Sequence, residues 1–311
     1  MSRADRPCRC FSLLATPFEE DGGIDLFALD RLLDQGAGYG KGVGFGAAVG
    51  FPEGEGGSLS LEEYRLLLEE AVLVLSGRGQ VLAGCYAEST AGAAKKGEIG
   101  ARAGADLLFF PPPYGIPPCS GAYFCHLKTL SFLGVPFLTC FPAGEGRGRE
   151  ELLLCQECAR LPHFAGFVLE GLDRPAWGLW QSAHPETPLY MKNDSLSLPA
   201  LSSGFSGMIS PLSCLLPRQT ALLVSECATG GERALPLWRA LLPLCALLGR
   251  QEGGALLKWG LHKRGLMTPA MRLPRTLPEK RLLADLERAL EGAQEGVRRV
   301  ARGVKAGQKY F

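Results

Sequence analysis

Lys192 is the residue whose type and position best suit covalent chemistry in this chain of 311 residues. It ends the segment Leu189-Tyr190-Met191-Lys192, at the carboxyl end of a predicted strand. A primary amine in a partly apolar pocket can form a Schiff base with a carbonyl carbon, because desolvation lowers its pKa. We therefore expect Lys192 to be a candidate nucleophile, with Glu170 or Asp194 as ionic partner. The alternative is a rim lysine paired with Glu170.

Two further segments carry groups that can move protons. In Phe110-Pro111-Pro112-Pro113-Tyr114, the tyrosine is a candidate acid or, alternatively, an anchor at an interface. In Thr139-Cys140-Phe141-Pro142, the threonine hydroxyl does not exchange protons near neutral pH. A cysteine with a pKa of about 8.5 does so when a cation lowers that value. Cys140 is therefore a candidate catalytic thiol, and the alternative is a buried cysteine at a strand end.

These segments need a scaffold that brings the ends of several strands together. Short apolar runs alternate with amphipathic stretches, which is the sequence pattern of a parallel sheet with crossover helices. The predicted strands are Phe11–Ala15, Gly44–Val49, Val81–Cys85, Asp106–Phe110, Phe137–Cys140, Ala165–Leu169, Leu189–Lys192 and Gly207–Ile209. Such units close most simply as a (β/α)8 TIM barrel, assigned to residues 8–224. An open doubly wound sheet is the alternative, but no glycine-rich phosphate motif follows the first strand.

Helices are predicted between the strands and beyond the last one. Ser60 and Glu63 form a capping-box pattern, in which each side chain accepts the other residue's backbone N–H. The predicted helices between strands include Leu59–Leu75, Ala91–Gly104 and Gly148–Leu161, and those after the barrel are Leu235–Leu248, Gly253–Arg264 and Pro278–Val304. We therefore predict a C-terminal helical extension of the same domain over residues 225–304.

The composition argues against several classes of function. The 33 basic and 32 acidic residues leave a net charge of +1, unlike a nucleic-acid-binding or anionic-membrane-binding surface. No apolar run is long enough to span a bilayer, and the first residues lack an apolar signal core, so we expect a cytoplasmic protein. The 11 cysteines lie in apolar contexts and are expected to be free thiols.

Several short motifs, taken in order and spacing, resemble the dihydrodipicolinate synthase / N-acetylneuraminate lyase family. The motifs are Thr16-Pro17-Phe18, Gly54-Glu55 with Ser58 to Glu63, Gly84 to Thr90, Gly207 to Ser210, and Leu257-Lys258-Trp259 with Arg272-Leu273-Pro274. The resemblance covers about Phe11 to Ala293. It implies a TIM barrel, a small-molecule substrate, no cofactor, aldolase-type lyase chemistry and a homo-oligomer of two or four subunits.

The chain departs from the family pattern at three places. The family's Schiff-base lysine on the sixth strand is replaced by Leu169, or by Val168 if the register slips by one residue. The family's acid/base tyrosine on the fifth strand is replaced by Thr139. The family's carboxylate-binding loop carries Glu53 here, and two like charges about 4 Å apart repel by about 4 kcal/mol at an effective dielectric near 20. If the loop follows the family's path, a pyruvate-like carboxylate is therefore disfavoured beside Glu53; the alternative is a rearranged loop, since this one is a residue longer.

The resemblance also places other residues at the predicted barrel mouth. The candidate substrate-binding residues are Thr16, Glu53, Glu55, Thr139, Arg147, Leu169, Glu170 and Ser210, beside the candidate catalytic residues Lys192, Tyr114 and Cys140. The remaining lysines are predicted to lie on solvated surfaces: Lys41, Lys95, Lys96, Lys128, Lys258, Lys263 and Lys280. Clustered carboxylates would suit a metal-dependent aldolase, but no histidine lies at a strand end, so no metal site is expected.

Two functions are therefore open. The first is a divergent carbon–carbon lyase or aldolase that acts on a keto acid or a sugar-acid-like substrate, with Lys192 as nucleophile and Tyr114 as proton relay. The second is a non-catalytic paralogue that binds a small molecule or a partner subunit through the old pocket.

Overall fold

A closed barrel of eight parallel strands forms the centre of the protein, with each strand paired to the next and the last to the first. This computed structural model describes residues 9–39, 44–115, 119–141, 149–172 and 175–303. The strands β1 to β8 are Arg9–Leu13, Phe45–Val49, Gln80–Gly84, Leu107–Phe110, Phe137–Thr139, Phe164–Leu169, Leu189–Met191 and Gly207–Ser210. The predicted TIM barrel is confirmed, and the carboxyl ends of its strands meet at one mouth.

Helices surround the barrel and continue beyond it. The helices α1 to α12 are Leu26–Tyr39, Leu61–Leu75, Thr90–Ala103, Ser120–Leu130, Arg149–Cys158, Pro175–Ala183, Ser197–Ser202, Pro211–Leu215, Pro217–Thr229, Ala234–Leu248, Gly253–Lys263 and Lys280–Ala301. The last five follow the final strand, and the last three of these lie within the predicted C-terminal helical extension. Within the described residues, no helix combines the length and the apolar character needed to cross a bilayer. The ten described cysteines form no disulfide bond with one another.

Strand side chains form two apolar layers, because successive residues of a strand point to opposite faces. The layer inside the barrel consists of Phe11, Leu13, Ala48, Phe51, Leu82, Tyr86, Leu107, Phe109, Leu138, Val168, Tyr190 and Ile209. The outer layer joins the alternate strand residues, such as Val49 and Met191, to the helices. The barrel interior is therefore a packed core. Tyr190 lies inside it, so the face that Tyr190 shares with Lys192 is the inward one.

An irregularity in β6 decides which residue faces the interior. Its register against β5 skips a residue at positions 164–166. Gly166 has a φ of 135°, and a Cβ added there would lie 2.1 Å from the carbonyl oxygen of Pro188, so the position requires glycine. After this bulge, Val168 belongs to the interior layer and Leu169 to the outer one. Of the two residues considered for this strand position, Val168 is the one inside the barrel.

The predicted capping box at the start of α2 is confirmed. The Ser60 N–H donates to Glu63 Oε2 at 2.8 Å, and the Glu63 N–H donates to Ser60 Oγ at 3.1 Å. The same Glu63 carboxylate accepts two hydrogen bonds from the Arg272 guanidinium, at 2.9 and 2.5 Å. This bidentate pair lowers the pKa of Glu63 to about 2. The pair ties the segment after α11 to the first turn of α2.

A buried ion pair fixes the loop after β2 to helix α11. Lys258 Nζ lies 2.5 Å from Glu55 Oε1, and each side chain is only 1% exposed. Lys258 also donates to the carbonyl oxygen of Ala270 at 2.8 Å and lies over the ring of Phe18, 4.1 Å from its centroid. Burial lowers the pKa of Lys258, although Glu55 opposes that effect. The prediction of a solvated Lys258 was wrong, because its helix packs inward with a carboxylate opposite.

We expect Lys258→Met to destabilise the fold by about 3 to 5 kcal/mol, because it leaves the Glu55 charge buried without a partner. Urea unfolding followed by circular dichroism would measure the loss. Lys263→Met is the matched control: Lys263 lies on the same helix, and its ion pair with Glu287 is 43% and 39% exposed. That variant should lose at most about 1 kcal/mol. Equal losses in the two variants would contradict a special role for the buried pair.

Candidate functional site

Lys192 follows β7 at the barrel mouth, held between two carboxylates. Its Nζ lies 2.5 Å from Glu53 Oε1 and 3.0 Å from Glu170 Oε1, and its side chain is 7% exposed. Glu53 lies in the short 3-10 helix Pro52–Gly54 after β2, and Glu170 directly follows β6. The Lys192 N–H donates to the carbonyl oxygen of Leu169 at 2.7 Å, which continues the β6–β7 pairing. Three separate strand ends thus contribute to one charged cluster.

The charge state of Lys192 follows from these neighbours. Burial by itself lowers the pKa of the amine, but the carboxylates of Glu53 and Glu170 outweigh burial and raise the pKa above its usual value. An amine with the ordinary pKa is neutral in only about one molecule in a few thousand at pH 7, and a raised pKa reduces that fraction further. The raised pKa therefore keeps Lys192 a cation and a hydrogen-bond donor near neutral pH.

An aromatic stack separates this cluster from the barrel centre. Phe51 is fully buried and stacks on Phe109, with ring centroids 5.3 Å apart and an interplanar angle of 2°. Tyr86 packs its edge against Phe51 at 5.4 Å, and Tyr114 stacks on Tyr86 at 5.6 Å. Lys192 Nζ lies 6.0 Å from the centroid of the Phe51 ring. The stack fills the interior below the amine, so a ligand reaches Lys192 from the mouth.

Tyr114 is placed at the mouth by backbone hydrogen bonds. The Tyr114 N–H donates to Glu88 Oε1 at 3.1 Å, and the Gly115 N–H donates to Glu88 Oε2 at 2.9 Å. Partial burial of the phenol raises the pKa of Tyr114 to about 12, although Lys192 acts in the opposite direction. The residue is 61% exposed. Tyr114 is thus a protonated phenol at neutral pH, able to donate a hydrogen bond at the mouth.

A cavity of about 380 Å3 opens beside Lys192, and we call it the mouth cavity. Its lining residues are Leu13, Glu53, Glu170, Lys192, Asn193, Asp194, Ser195, Pro211, Cys245, Ala246, Leu248, Gly249 and Arg250. They come from the ends of β1, β2, β6, β7 and β8 and from the end of α10. Ligand pockets have volumes of about 300 to 1,000 Å3, so the space suits a small molecule.

Asp194 is the buried carboxyl of the cavity wall, with 4% exposure. Its Oδ2 accepts a hydrogen bond from the Leu212 N–H at 2.8 Å. Burial raises the pKa of Asp194 to about 6, although hydrogen bonds from Ser210 and from the Leu212 N–H act in the opposite direction. Ser210 is buried and caps α8, since its Oγ accepts from the Ser213 N–H at 2.9 Å. Ser210 therefore supports the wall through Asp194 and the helix.

The two candidates on β5 point in different directions. Thr139 is fully buried, and its hydroxyl donates to the carbonyl oxygen of Phe110 at 2.7 Å and lies 2.5 Å from the Tyr123 hydroxyl on α4. It therefore faces the helices. Cys140 is partly buried and packs against the interior layer below the mouth. Of the two, Cys140 is the residue on the site's side.

The remaining predicted residues lie apart from the Lys192 cluster. Glu55 belongs to the scaffold ion pair with Lys258, because its left-handed backbone (φ 63°) turns the side chain toward α11. Thr16 is buried, and its N–H donates to the carbonyl oxygen of Gly54 at 3.0 Å. Leu169 packs in the outer layer. Arg147 lies outside the described residues.

No group of three or more metal-binding side chains occurs within the described part of the chain. Glu53, Glu170 and Asp194 do line the same cavity, but Glu53 and Glu170 are both engaged by Lys192. The arrangement is therefore an ion-pair cluster.

Three residues of the site were not identified from the sequence. Phe51 lies in the loop that carries Glu53, and its sequence context does not indicate that its side chain enters the barrel. Asn193 lies next to Lys192 and donates from Nδ2 to the Glu170 carbonyl oxygen at 3.1 Å. Arg250 follows α10 and lines the cavity from the helical extension. Its sequence context, a Gly-Arg pair after an apolar helix, resembles an ordinary helix end.

Comparison with protein-family models gives a match over most of the chain. The model of the dihydrodipicolinate synthetase family matches residues 6–130 and 176–293. The stretch between the two matched segments contains β5 and β6.

Individual relatives span nearly the whole chain. The 4-hydroxy-tetrahydrodipicolinate synthase of Leptothrix cholodnii is 28% identical over 285 residues, covering 90% of this chain and 96% of the relative. That of Dechloromonas aromatica is 29% identical, covering 89% and 96%. Among solved structures, dihydrodipicolinate synthase from Acinetobacter baumannii, complexed with pyruvate, has a TM-score of 0.83 at 22% identity, covering 93% of this chain and 99% of that one. The enzyme from Methylacidiphilum fumariolicum has a TM-score of 0.85 at 23% identity, covering 95% and 98%.

The buried Asp194 makes stability depend on pH. Its pKa is raised from 3.8 to about 6 in the fold, so the folded state holds the proton more tightly than the unfolded state. The contribution of Asp194 to stability is therefore highest below about pH 4 and falls as pH rises to about 6, by about 3 kcal/mol in all. Asp194→Asn should remove this dependence, as measured by urea unfolding across that pH range. Asp34→Asn, at a 59% exposed side chain, is the control. Identical pH dependence in wild type and Asp194→Asn would contradict the assignment.

Proposed function

Because the chain belongs to the dihydrodipicolinate synthetase family, we propose that it binds a small polar molecule in the mouth cavity, where Lys192 serves as a protonated hydrogen-bond donor and forms no imine. The observation that carries this proposal is the double ion pair of Lys192 with Glu53 and Glu170, at 2.5 and 3.0 Å. Both carboxylates favour the charged amine, which has no lone pair to offer a carbonyl carbon.

The barrel interior supports the same proposal. An imine formed at the centre of the barrel would need space beside an inward lysine on β6, where this chain has the buried Val168. The neighbouring space holds the fully buried Phe51, stacked on Phe109. A ligand that lies above this stack meets Asn193, Ser195 and the charged side chains of the mouth cavity. These groups suit a molecule with several hydroxyl or carbonyl oxygens, such as a sugar acid.

A second candidate is carbon–carbon bond cleavage of a keto acid or a sugar acid through an imine at Lys192. One observation favours it: the amine is 7% exposed and lies at the end of a barrel strand, beside a cavity of about 380 Å3. Catalytic groups of TIM barrels occupy this end of the strands. The second candidate requires the amine to lose its proton while two carboxylates hold it.

Borohydride trapping separates the two candidates. Wild type incubated with pyruvate or a panel of 2-keto acids, then treated with borohydride, should show no mass increase by intact-mass spectrometry near neutral pH. The double variant Glu53→Gln/Glu170→Gln should give an adduct, because it leaves burial as the main influence on Lys192, and burial lowers the pKa of the amine. Adding Lys192→Ala should abolish that adduct.

The wild-type result decides the outcome. A wild-type adduct that disappears in Lys192→Ala would overturn the proposal and establish imine chemistry at a relocated lysine. A wild-type adduct that persists in Lys192→Ala would point to another amine and would leave Lys192 without a covalent role.

A further inference from the structure

Two carboxylate oxygens of the mouth cavity, Asp194 Oδ1 and Glu53 Oε2, are buried and have no hydrogen-bond partner within the described part of the chain. Asp194 is 4% exposed, and its other oxygen, Oδ2, accepts from the Leu212 N–H at 2.8 Å. The other oxygen of Glu53, Oε1, lies 2.5 Å from Lys192 Nζ. A buried acceptor that meets no donor keeps its full cost of desolvation. Both oxygens therefore favour a ligand that brings hydrogen-bond donors.

The lining of the mouth cavity is negatively charged. Its carboxylates are those of Glu53, Glu170 and Asp194, and its basic side chains are Lys192 and Arg250. Burial raises the pKa of Asp194 to about 6, which leaves this carboxyl mostly ionised at about pH 7.5. Three negative charges thus stand against two positive ones in the lining.

Both basic side chains of the lining are already paired with carboxylates. Lys192 Nζ contacts Glu53 at 2.5 Å and Glu170 at 3.0 Å. Arg250 Nε lies 3.6 Å from Glu252 Oε2, and Glu252 lines a second cavity, of about 630 Å3, instead of the mouth cavity. The Arg250 guanidinium is therefore directed to the second cavity. Among the described residues, the mouth cavity offers unpaired acceptors and no unpaired cation.

These charges determine which group of a ligand binds beside Asp194. A ligand carboxylate placed there is repelled by the carboxylates of the lining, whereas an ammonium is attracted by them. A primary ammonium also carries three N–H donors, while a hydroxyl carries one donor and no net charge. Hydrogen bonds between charged partners are about twice as strong as those between neutral groups. An ammonium is therefore the group that best satisfies the buried Asp194 Oδ1.

We propose that the mouth cavity binds a small hydroxylated amine, whose ammonium donates to Asp194 Oδ1 while its hydroxyls donate to Glu53 Oε2 and accept from Lys192. Asp194 is then the residue that determines specificity for the charged group. This inference rests on the proposed function and narrows its ligand to a compound that carries an ammonium and no carboxylate.

Isothermal titration calorimetry of the full chain at about pH 7.5 provides the test. The ligands are D-glucamine, sorbitol and D-gluconate, which share one carbon chain and end in an ammonium, a hydroxyl and a carboxylate. D-glucamine should bind wild type at least about tenfold more tightly than sorbitol, as expected for a charge-assisted hydrogen bond. D-gluconate should bind more weakly than sorbitol. Added salt should weaken the binding of D-glucamine.

Asp194→Asn tests the assigned residue. The asparagine oxygen can still accept from the Leu212 N–H, which places an amide donor where wild type has the unpaired Oδ1. D-glucamine binding should weaken by about tenfold or more, because a charged acceptor is replaced by a neutral donor. Sorbitol binding should change far less, since a hydroxyl can accept from the amide as well as donate to a carboxylate. Unchanged D-glucamine binding in Asp194→Asn would overturn the inference.

Glu279→Gln is the matched control. Glu279 lines the second cavity and not the mouth cavity, so its substitution removes the same charge at another site. This variant should bind D-glucamine as wild type does. Equal losses in Glu279→Gln and Asp194→Asn would overturn the inference by assigning the binding to general electrostatics. Thermal unfolding of each variant verifies that it is folded.

Lys192→Met tests the proposed function separately, with sorbitol as the ligand because an ammonium can itself take the place of the lost amine. If Lys192→Met loses sorbitol while Asp194→Asn keeps D-glucamine, the mouth cavity binds a polar ligand and the inference is overturned. If Lys192→Met keeps sorbitol, the proposed role of Lys192 fails, and Asp194→Asn still decides the inference. If D-glucamine does not bind wild type, or binds no better than sorbitol, the inference is overturned in either case.

Discussion

The buried ion pair between Lys258 and Glu55 is the interaction on which the mouth of this barrel depends. It joins helix α11 to the loop after β2, with both side chains 1% exposed. Removing either partner leaves a charge in a low-dielectric environment, so the two elements are stable only together. The close approach of Gly254 reinforces the contact, since a Cβ there would lie 2.2 Å from the carbonyl oxygen of Glu53. The helical extension thereby holds the loop that shapes the site.

That loop contains a residue of the scaffold, Glu55, and a residue of the site, Glu53, only two positions apart. Glu55 adopts the left-handed backbone conformation, at a cost of about 1 to 3 kcal/mol for a residue other than glycine, and points to α11. Glu53 points to Lys192, and Phe51 points into the barrel. The barrel centre is therefore apolar and closed, while the polar groups gather above it. The chain that carries this arrangement belongs to the dihydrodipicolinate synthetase family.

Sequence patterns predicted the parts of the structure that local rules control. The strand segments, the capping box of Ser60 and Glu63, and the family were all confirmed. The sequence does not show whether Lys192 faces the barrel interior. Strand alternation places Lys192 and Tyr190 on the same face, but it does not tell which face is inside. For a similar reason, the sequence allows two registers of β6, with either Val168 or Leu169 facing inward. A bulge at Gly166 shifts the strand by one residue, and only the packing against Pro188 reveals it.

By itself, the sequence determined the (β/α)8 architecture, because periodicity and motif order are enough to predict it. It also predicted Lys192 as the candidate amine, from residue type and position. The tertiary structure decided the electrostatics. The sequence predicts Lys258 to be a surface lysine on a helix. In the structure it pairs in the core with Glu55, which lies more than 200 residues earlier in the chain. The sequence predicts Lys192 as a candidate nucleophile, and only the structure shows that Glu53 and Glu170 from two other strand ends contact its amine and raise its pKa. A side chain's pKa depends on charges within a few ångströms, and folding brings those charges from distant parts of the chain.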